Sequence, residues 1–270
     1  MSSRLLLDLY AALVGLVTGS YLNVVAHRLP RGQSTVLPRS RCPACGAPIR
    51  PLDNLPLLSW LLLRGRCRGC GARISPRYPL VEGVTGLLFL ASMERFGLSP
   101  AALAAALFCA LMVVLAAIDA EHYLLPDRIT LPGIGAGVLL QPFVGWAGGA
   151  WGGVAGGVLG AALGAAVLLA PYWTWLLLRG EEGLGLGDVK MLAMIGAFLG
   201  WKGVLVTLFL GAATGAVAGL AVVALGRGGM RSKLPFGVFL AFGGVVALFA
   251  GPLLVELYLV HALGVAPAAP

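Results

Sequence analysis

The chain has 270 residues and a formal net charge of +8, with 59% of its residues hydrophobic and 11% charged. Its mean hydropathy of +0.93 sets it apart from soluble globular chains, in which about 25% of residues are charged, so an ordinary soluble enzyme is excluded and a polytopic membrane protein is expected. In such a protein a basic excess belongs to the cytoplasmic loops and is no sign of a nucleic-acid partner.

A helix needs about 20 apolar residues to cross a hydrocarbon layer roughly 30 Å thick. The opening run, "MSSRLLLDLYAALVGLVTGSYLNVV", carries Asp8, shows no small-x-small cleavage site and stays apolar to Val25. It is expected to be a retained first span over 5–26 rather than a removed signal. A polar island follows, 27–78, and about 50 residues is marginal for a folded unit without a staple. The island supplies one: "CPAC" places Cys42 and Cys45 two residues apart, and "CRGC" does the same for Cys67 and Cys70. Two such knuckles complete a tetrahedral all-thiolate zinc site, which is closed and therefore structural. Disulfides would need an oxidising compartment, and the charge distribution puts this loop in the cytoplasm.

Spans are next expected over 79–96 and 101–118, with Cys109 inside the latter as a small buried hydrophobe. Asp119 follows "ALMVVLAAI" directly, so it belongs to the end of that helix, at the membrane surface. Asp127 follows Pro126 and precedes "RITLPG", the place of a residue capping the next helix. After spans over 129–147 and 151–178 comes "EEGLGLGDVK", residues 181–190. Asp188 could also cap a helix there, but a cap leaves Gly183, Gly185 and Gly187 unexplained; glycines permit an extended or left-handed backbone and close approach by another segment. A nucleotide loop is excluded because the stretch lacks G-x-x-x-x-G-K-S/T and follows an apolar helix rather than a strand. Glu121, Glu181 and Glu182 read as a solvated acidic rim that would attract a basic ligand.

The remaining spans are a short one over 190–201 and two of ordinary length over 203–225 and 235–260. With eight spans and the amino terminus outside, only Arg4, Arg95 and Lys202 of the 19 Lys and Arg lie outside, which satisfies the positive-inside rule. The expectation is thus an all-α polytopic membrane protein of about eight transmembrane helices. A small cytoplasmic zinc-binding insertion lies between spans one and two. Its parts are a first helix (1–26), the insertion (27–78) and a transmembrane catalytic region (79–270). Asp119 and Asp188, on one face at opposed helix ends, could share a proton and hydrolyse a peptide bond as aspartic proteases do.

At these residues the chain closely resembles the bacterial type IV prepilin peptidases. The resemblance runs through "GSYLNVVAHRLPRG", both cysteine pairs, "DNLPLLSWLLLRGRCRGC", "ISPRYPLVEGVTG", "IDAEHYLLPDRITLP", "GLGLGDVKMLAMIGAFLGW" and "LPFGVFLAFGG". It implies a GxGD-type intramembrane aspartyl protease of the inner membrane, its active site facing the cytoplasm. The substrates would be prepilins and pseudopilins of pilus and type II secretion systems, each with a basic leader and a hydrophobic helix. Cleavage would follow a glycine, and the new amino terminus, usually phenylalanine, would be methylated from S-adenosylmethionine. The resemblance carries catalysis onto Asp119 and Asp188, with Gly185, Gly187, Lys190 and Asp127 in support. It links the cysteine insertion to methyl transfer, for which Asn23, Arg28, Asn54, Arg77, Tyr78 and Glu82 are polar candidates. No Rossmann-like fingerprint marks a methyl-donor domain, and the same six residues could simply tie the insertion to the membrane helices.

Two rivals come from other classes. An ion-coupled or small-solute transporter would use Asp119, Asp188 and Glu82 as an ion path, but such carboxylates tend to the midplane and no inverted repeat appears. A membrane-tethered zinc-ribbon nucleic-acid binder would use the arginines between Arg28 and Arg77, but the insertion is poor in aromatic residues.

Overall fold

The structure, a computed structural model, describes residues 3–144, 153–180, 185–226 and 234–264. Glu181, Glu182, Gly183, Arg227, Arg231 and Lys233 lie outside the described residues. The helices are α1 (Ser3–Arg28), the short α2 (Leu58–Leu62), α3 (Arg77–Phe96), α4 (Pro100–His122), α5 (Asp127–Val144), α6 (Gly153–Arg179), α7 (Leu186–Ala224) and α8 (Phe236–Leu263). Among the described residues extended pairing is limited to isolated bridges, Arg41 with Pro48 and Arg66 with Arg73. The chain is all-α, as expected. Among the described residues five helices are long and apolar enough to cross a membrane: Arg4–Arg31, Pro100–His122, Gly153–Arg179, Leu186–Ala224 and Phe236–His261. α3 and α5 fall on the expected second and fourth spans. Many large apolar side chains, such as Leu6, Leu13, Leu87, Leu103, Phe209 and Leu220, point outward and exposed, the surface that hydrocarbon covers.

Packing divides the chain into two compact units, Met1–Ile118 and Asp119–Pro270, with the boundary inside α4. In the first unit α1 and α3 run antiparallel. A Cβ on Gly15 would lie 2.8 Å from Gly86 Cα, and one on Gly19 would lie 2.7 Å from Glu82 Cα. The small residues bring the two backbones together. One turn further on, Asn23 Nδ2 donates to the Tyr78 carbonyl at 3.1 Å, and the insertion departs from this end of the pair.

In the second unit the expected sixth and seventh spans form α7, broken at Gly200, whose φ of 72° and ψ of −177° lie in a region open essentially to glycine alone. The two arms run in opposite directions. Gly157, Gly160 and Gly164 of α6 meet Ala197, Gly196 and Leu192 of the first arm in turn, so those helices are antiparallel. Gly160 and Gly196 are in backbone contact with no room for a side chain on either. Past the break, Thr207 meets Gly243 and Gly211 meets Phe239, so the second arm is antiparallel to α8. Because Leu125 touches both Gly187 and Gly237, α7 and α8 begin at the same end, and the second arm returns to where the first started. Met191, Leu192, Met194, Ile195, Phe198 and Leu199 are fully buried. The first arm, apolar all round, is the centre of this unit.

Candidate active site and metal centre

Asp119 occupies the end of α4 and is only 5% exposed. Its Oδ2 accepts the Val238 N–H at 3.3 Å, and the Gly237 N–H is also directed at the carboxylate. Both belong to the first turn of α8, where the helix carries partial positive charge, and the Val238 N–H is shared with the Pro235 carbonyl at 3.3 Å. A Cβ on Gly237 would come 2.8 Å from Asp119 Oδ2, so only glycine lets the helix start approach this closely.

Asp188 lies in the first turn of α7, half-buried, with Gly185 rather than Asp188 as the residue before the helix. Asp188 is therefore not the residue before the helix: it sits three residues further in and reaches back toward the Gly185 N–H, the reciprocal half of a capping box. A Cβ on Gly185 would meet its Oδ2 at 3.3 Å. A Cβ on Gly187 would press on Leu125 at 2.9 Å, so Gly187 lets the α4–α5 turn lie against the start of α7. Asp119 and Asp188 are close enough for their charges to interact. Each carboxylate thus lies at the amino-terminal end of a helix, near enough to the other to feel its charge, which suits holding and exchanging a single proton around a water molecule.

Asp127 is the first residue of α5, not the residue before it. Its side chain is committed elsewhere: Oδ1 accepts from Lys190 Nζ at 2.6 Å. The expected cap is therefore an ion pair joining the starts of α5 and α7, beside Asp188 but exposed.

In the first unit the four expected cysteines converge, their sulfurs all within 4.8 Å of one another. Both knuckles use the same bonds. Cys42 N–H donates to the Ala47 carbonyl and Gly46 N–H to Cys42, while Cys67 and Gly71 repeat the pattern with Ala72 and Cys67. Gly46 and Gly71 take φ of 70° and 72°, which explains a glycine after each pair. The Cys42 and Cys70 sulfurs are 3.9 Å apart, close to the edge of about 3.8 Å of a tetrahedron with ~2.3 Å metal–sulfur bonds. The backbone N–H groups of Cys45 and Ala44 pull the Cys42 thiol down to about 7, while the Cys70 thiol, against a lowering bond from the Ala72 backbone, is pushed up to about 11 by its sulfur neighbours and burial. The cluster can hold a metal ion such as zinc. Asp53 braces the second knuckle through paired bonds from Arg68, with Nη2 at 2.7 Å and Nε at 3.0 Å, and this holds its carboxyl below the ordinary carboxylate range.

Between the knuckles, α1 and α3 lies a cavity of about 740 Å³. Of the six polar candidates, Asn23, Arg28, Asn54, Tyr78 and Glu82 line it, whereas Arg77 does not. Reading the sequence alone missed several contributors. Gly237 and Val238 lie in a quoted motif without a role assigned, and a glycine directly after Pro-Phe at a helix start was their only signal. Ser59, which donates to the Leu52 carbonyl at 2.8 Å, and Trp60, which donates to Ile74 at 3.2 Å, fix the cavity wall.

Residues 13–96 match the family model "Bacterial Peptidase A24 N-terminal domain", and residues 106–220 match "Type IV leader peptidase family". The chain is 39% identical to a prepilin leader peptidase/N-methyltransferase of Burkholderia pseudomallei, covering 90% of this chain and 85% of the relative. A protein of the same name from Aeromonas hydrophila is 40% identical, over 94% and 96% of the two chains. Another, from Pseudomonas aeruginosa, is 37% identical over 92% and 91%. No solved structure matches the chain.

Proposed function

The chain belongs to the type IV leader peptidase family, and on that premise we propose that Asp119 and Asp188 are the carboxylates that cut the leader from its substrates. Its activities are those of the family: leader-peptide cleavage and N-methylation of the amino terminus so exposed. The observation that carries the catalytic assignment is the meeting of Asp119 and Asp188 at two helix starts in one compact unit. The carboxylate without the shared proton takes one from water, and the resulting hydroxide attacks the scissile carbonyl. The other carboxyl gives its proton to the carbonyl oxygen, and collapse of the tetrahedral intermediate expels the amine, which is reprotonated. Gly185, Gly187 and the Asp127–Lys190 pair support Asp188.

The substrates are prepilins and pseudopilins. Their basic leaders suit an acidic rim that includes Glu121, and their hydrophobic helices share the bilayer with the enzyme. Residues 79–270 form the peptidase region at the cytoplasmic face of the inner membrane. Zinc held by Cys42, Cys45, Cys67 and Cys70 folds the insertion, 27–78. A cavity of about 740 Å³ lies within the usual range of about 300–1,000 Å³ for small-molecule sites, and we assign methyl transfer from S-adenosylmethionine to it, with Asn23, Arg28, Asn54, Tyr78 and Glu82 in its walls.

The test uses purified enzyme and a synthetic prepilin. Asp119→Asn and Asp188→Asn each abolish cleavage while the protein stays inserted, and both variants still methylate a substrate supplied without its leader. Asp127→Asn loses only an exposed ion pair, worth about 0–1 kcal/mol, so its rate falls no more than about fivefold. Retained cleavage in either of the first two variants overturns the pair.

A further inference from the structure

The cavity of the first unit ends, on the side made by α1 and α3, in two buried acceptors, one without a donor and the other only partly satisfied. Asn23 is 1% exposed and Glu82 is 7% exposed, and both line the cavity. The Asn23 amide is oriented by its own Nδ2, which donates to the Gly19 carbonyl at 3.3 Å and to the Tyr78 carbonyl at 3.1 Å. That leaves Asn23 Oδ1 buried without a partner. Glu82 Oε2 accepts the Leu57 N–H at 2.9 Å, and an ionised carboxylate has about four acceptor positions, so most of its capacity is free. Two of the arginines lining the cavity are engaged elsewhere: Arg28 donates to the Ser34 carbonyl at 3.0 Å, and Arg68 is bound to Asp53.

The backbone that presents Leu57 to Glu82 is strained. Leu57 has φ 60° and ψ −52°, and the Leu58 N–H closes onto the Pro56 carbonyl at 2.6 Å, making a positive-φ γ-turn that side-chain-bearing residues rarely adopt. Strain of this kind persists where surrounding contacts enforce it and gathers at ligand sites.

We propose that Asn23 and Glu82 receive the primary amine that is methylated, Asn23 Oδ1 and the Glu82 carboxylate accepting its N–H groups. This rests on the assignment of methyl transfer to the first unit. Two acceptors, one of them anionic, select an ammonium or amine and reject a carboxylate, a phosphate or an acylated amino terminus. The corner is built on α1, a candidate membrane span, where the terminus of a bilayer-anchored chain arrives. Arg41, Arg50 and Arg73 line other parts of the cavity and suit the carboxylate of an amino-acid-bearing methyl donor. Glu82 takes one proton from the ammonium and passes it to solvent. The freed nitrogen lone pair then forms the N–C bond as the S–C bond of a sulfonium donor breaks, its electron pair remaining on sulfur and the positive charge passing to nitrogen.

Binding tests the proposal without the methyl donor. Full-length, zinc-loaded protein is titrated with a leaderless peptide that begins with phenylalanine, as the free amine and as the N-acetyl form. The wild type prefers the free amine by about tenfold or more, the value of one hydrogen bond to a charged group. Glu82→Gln, which keeps the acceptor for Leu57, loses that preference, and methylation falls about 100-fold or more, the scale of a lost general base. Glu82→Asp restores part of both. Unchanged zinc content and unchanged binding of labelled S-adenosylmethionine show that the fold and the donor site persist. A free-amine preference that survives Glu82→Gln overturns the proposal, as does loss of donor binding with the preference intact, which would assign the corner to the donor's own ammonium. A wild type that prefers the amine yet methylates nothing keeps this site and removes the methyl-transfer assignment instead.

Discussion

A single methyl group measures how closely α8 approaches Asp119. Gly237→Ala would place a Cβ 2.8 Å from Asp119 Oδ2, and either the carboxylate or the helix start has to move. Overpacking of this kind costs about 1–3 kcal/mol, which the long helices of the unit absorb. The two N–H donors, however, no longer meet the carboxylate in register. Cleavage by Gly237→Ala is expected to fall by about 100-fold, of the order reported for losing one oriented donor in an active site, while helix content by circular dichroism stays at the wild-type level. Wild-type cleavage in this variant would mean that the amino-terminal end of α8 contributes nothing to Asp119.

At the level of elements, zinc at the four cysteines is proposed to be what holds the insertion together. A unit of about 50 residues is marginal without a staple, and a structural zinc ion supplies about 10–16 kcal/mol in zinc-finger peptides. Replacing Cys42 and Cys67 by serine is expected to lower zinc from one ion per chain to background by metal analysis and to abolish methyl transfer, with prepilin cleavage retained. These cysteines were legible in the sequence because each knuckle is local: two thiols, a two-residue gap and a glycine whose positive φ ends the turn. Asp119 and Asp188 were legible as carboxylates at the edges of apolar runs, and the short run before Gly200 already marked a helix of its own. What the sequence withheld is long-range. The Val238 N–H lies 119 positions from Asp119, and Lys190 lies 63 positions from Asp127, so no local pattern could reveal that a presumed cap is half of an ion pair. Nor could spacing show that Asn23 would be left with an empty acceptor, since that follows from how α1 and α3 pack.

For the molecule in its membrane, the break at Gly200 decides sidedness. Because the second arm of α7 runs back beside α8, the corner at Gly200 and the end of α7 must open on opposite faces. Reporter cysteines at Lys202 and Leu225 are therefore expected to react with a membrane-impermeant reagent from opposite sides of sealed vesicles, Lys202 from the outer face. Labelling of both from one side would exclude the hairpin. The same break leaves the first arm, residues 186–199, about 21 Å long at 1.5 Å per residue, against a hydrocarbon layer of roughly 30 Å. Because that arm is buried among the other helices of its unit, protein rather than lipid makes up the difference. With the corner at Gly200 set at one surface of that layer, the start of α7 and Asp188 stop about 9 Å short of the other, so a leader is expected to reach the carboxylates through a recess walled by protein rather than across a full thickness of lipid.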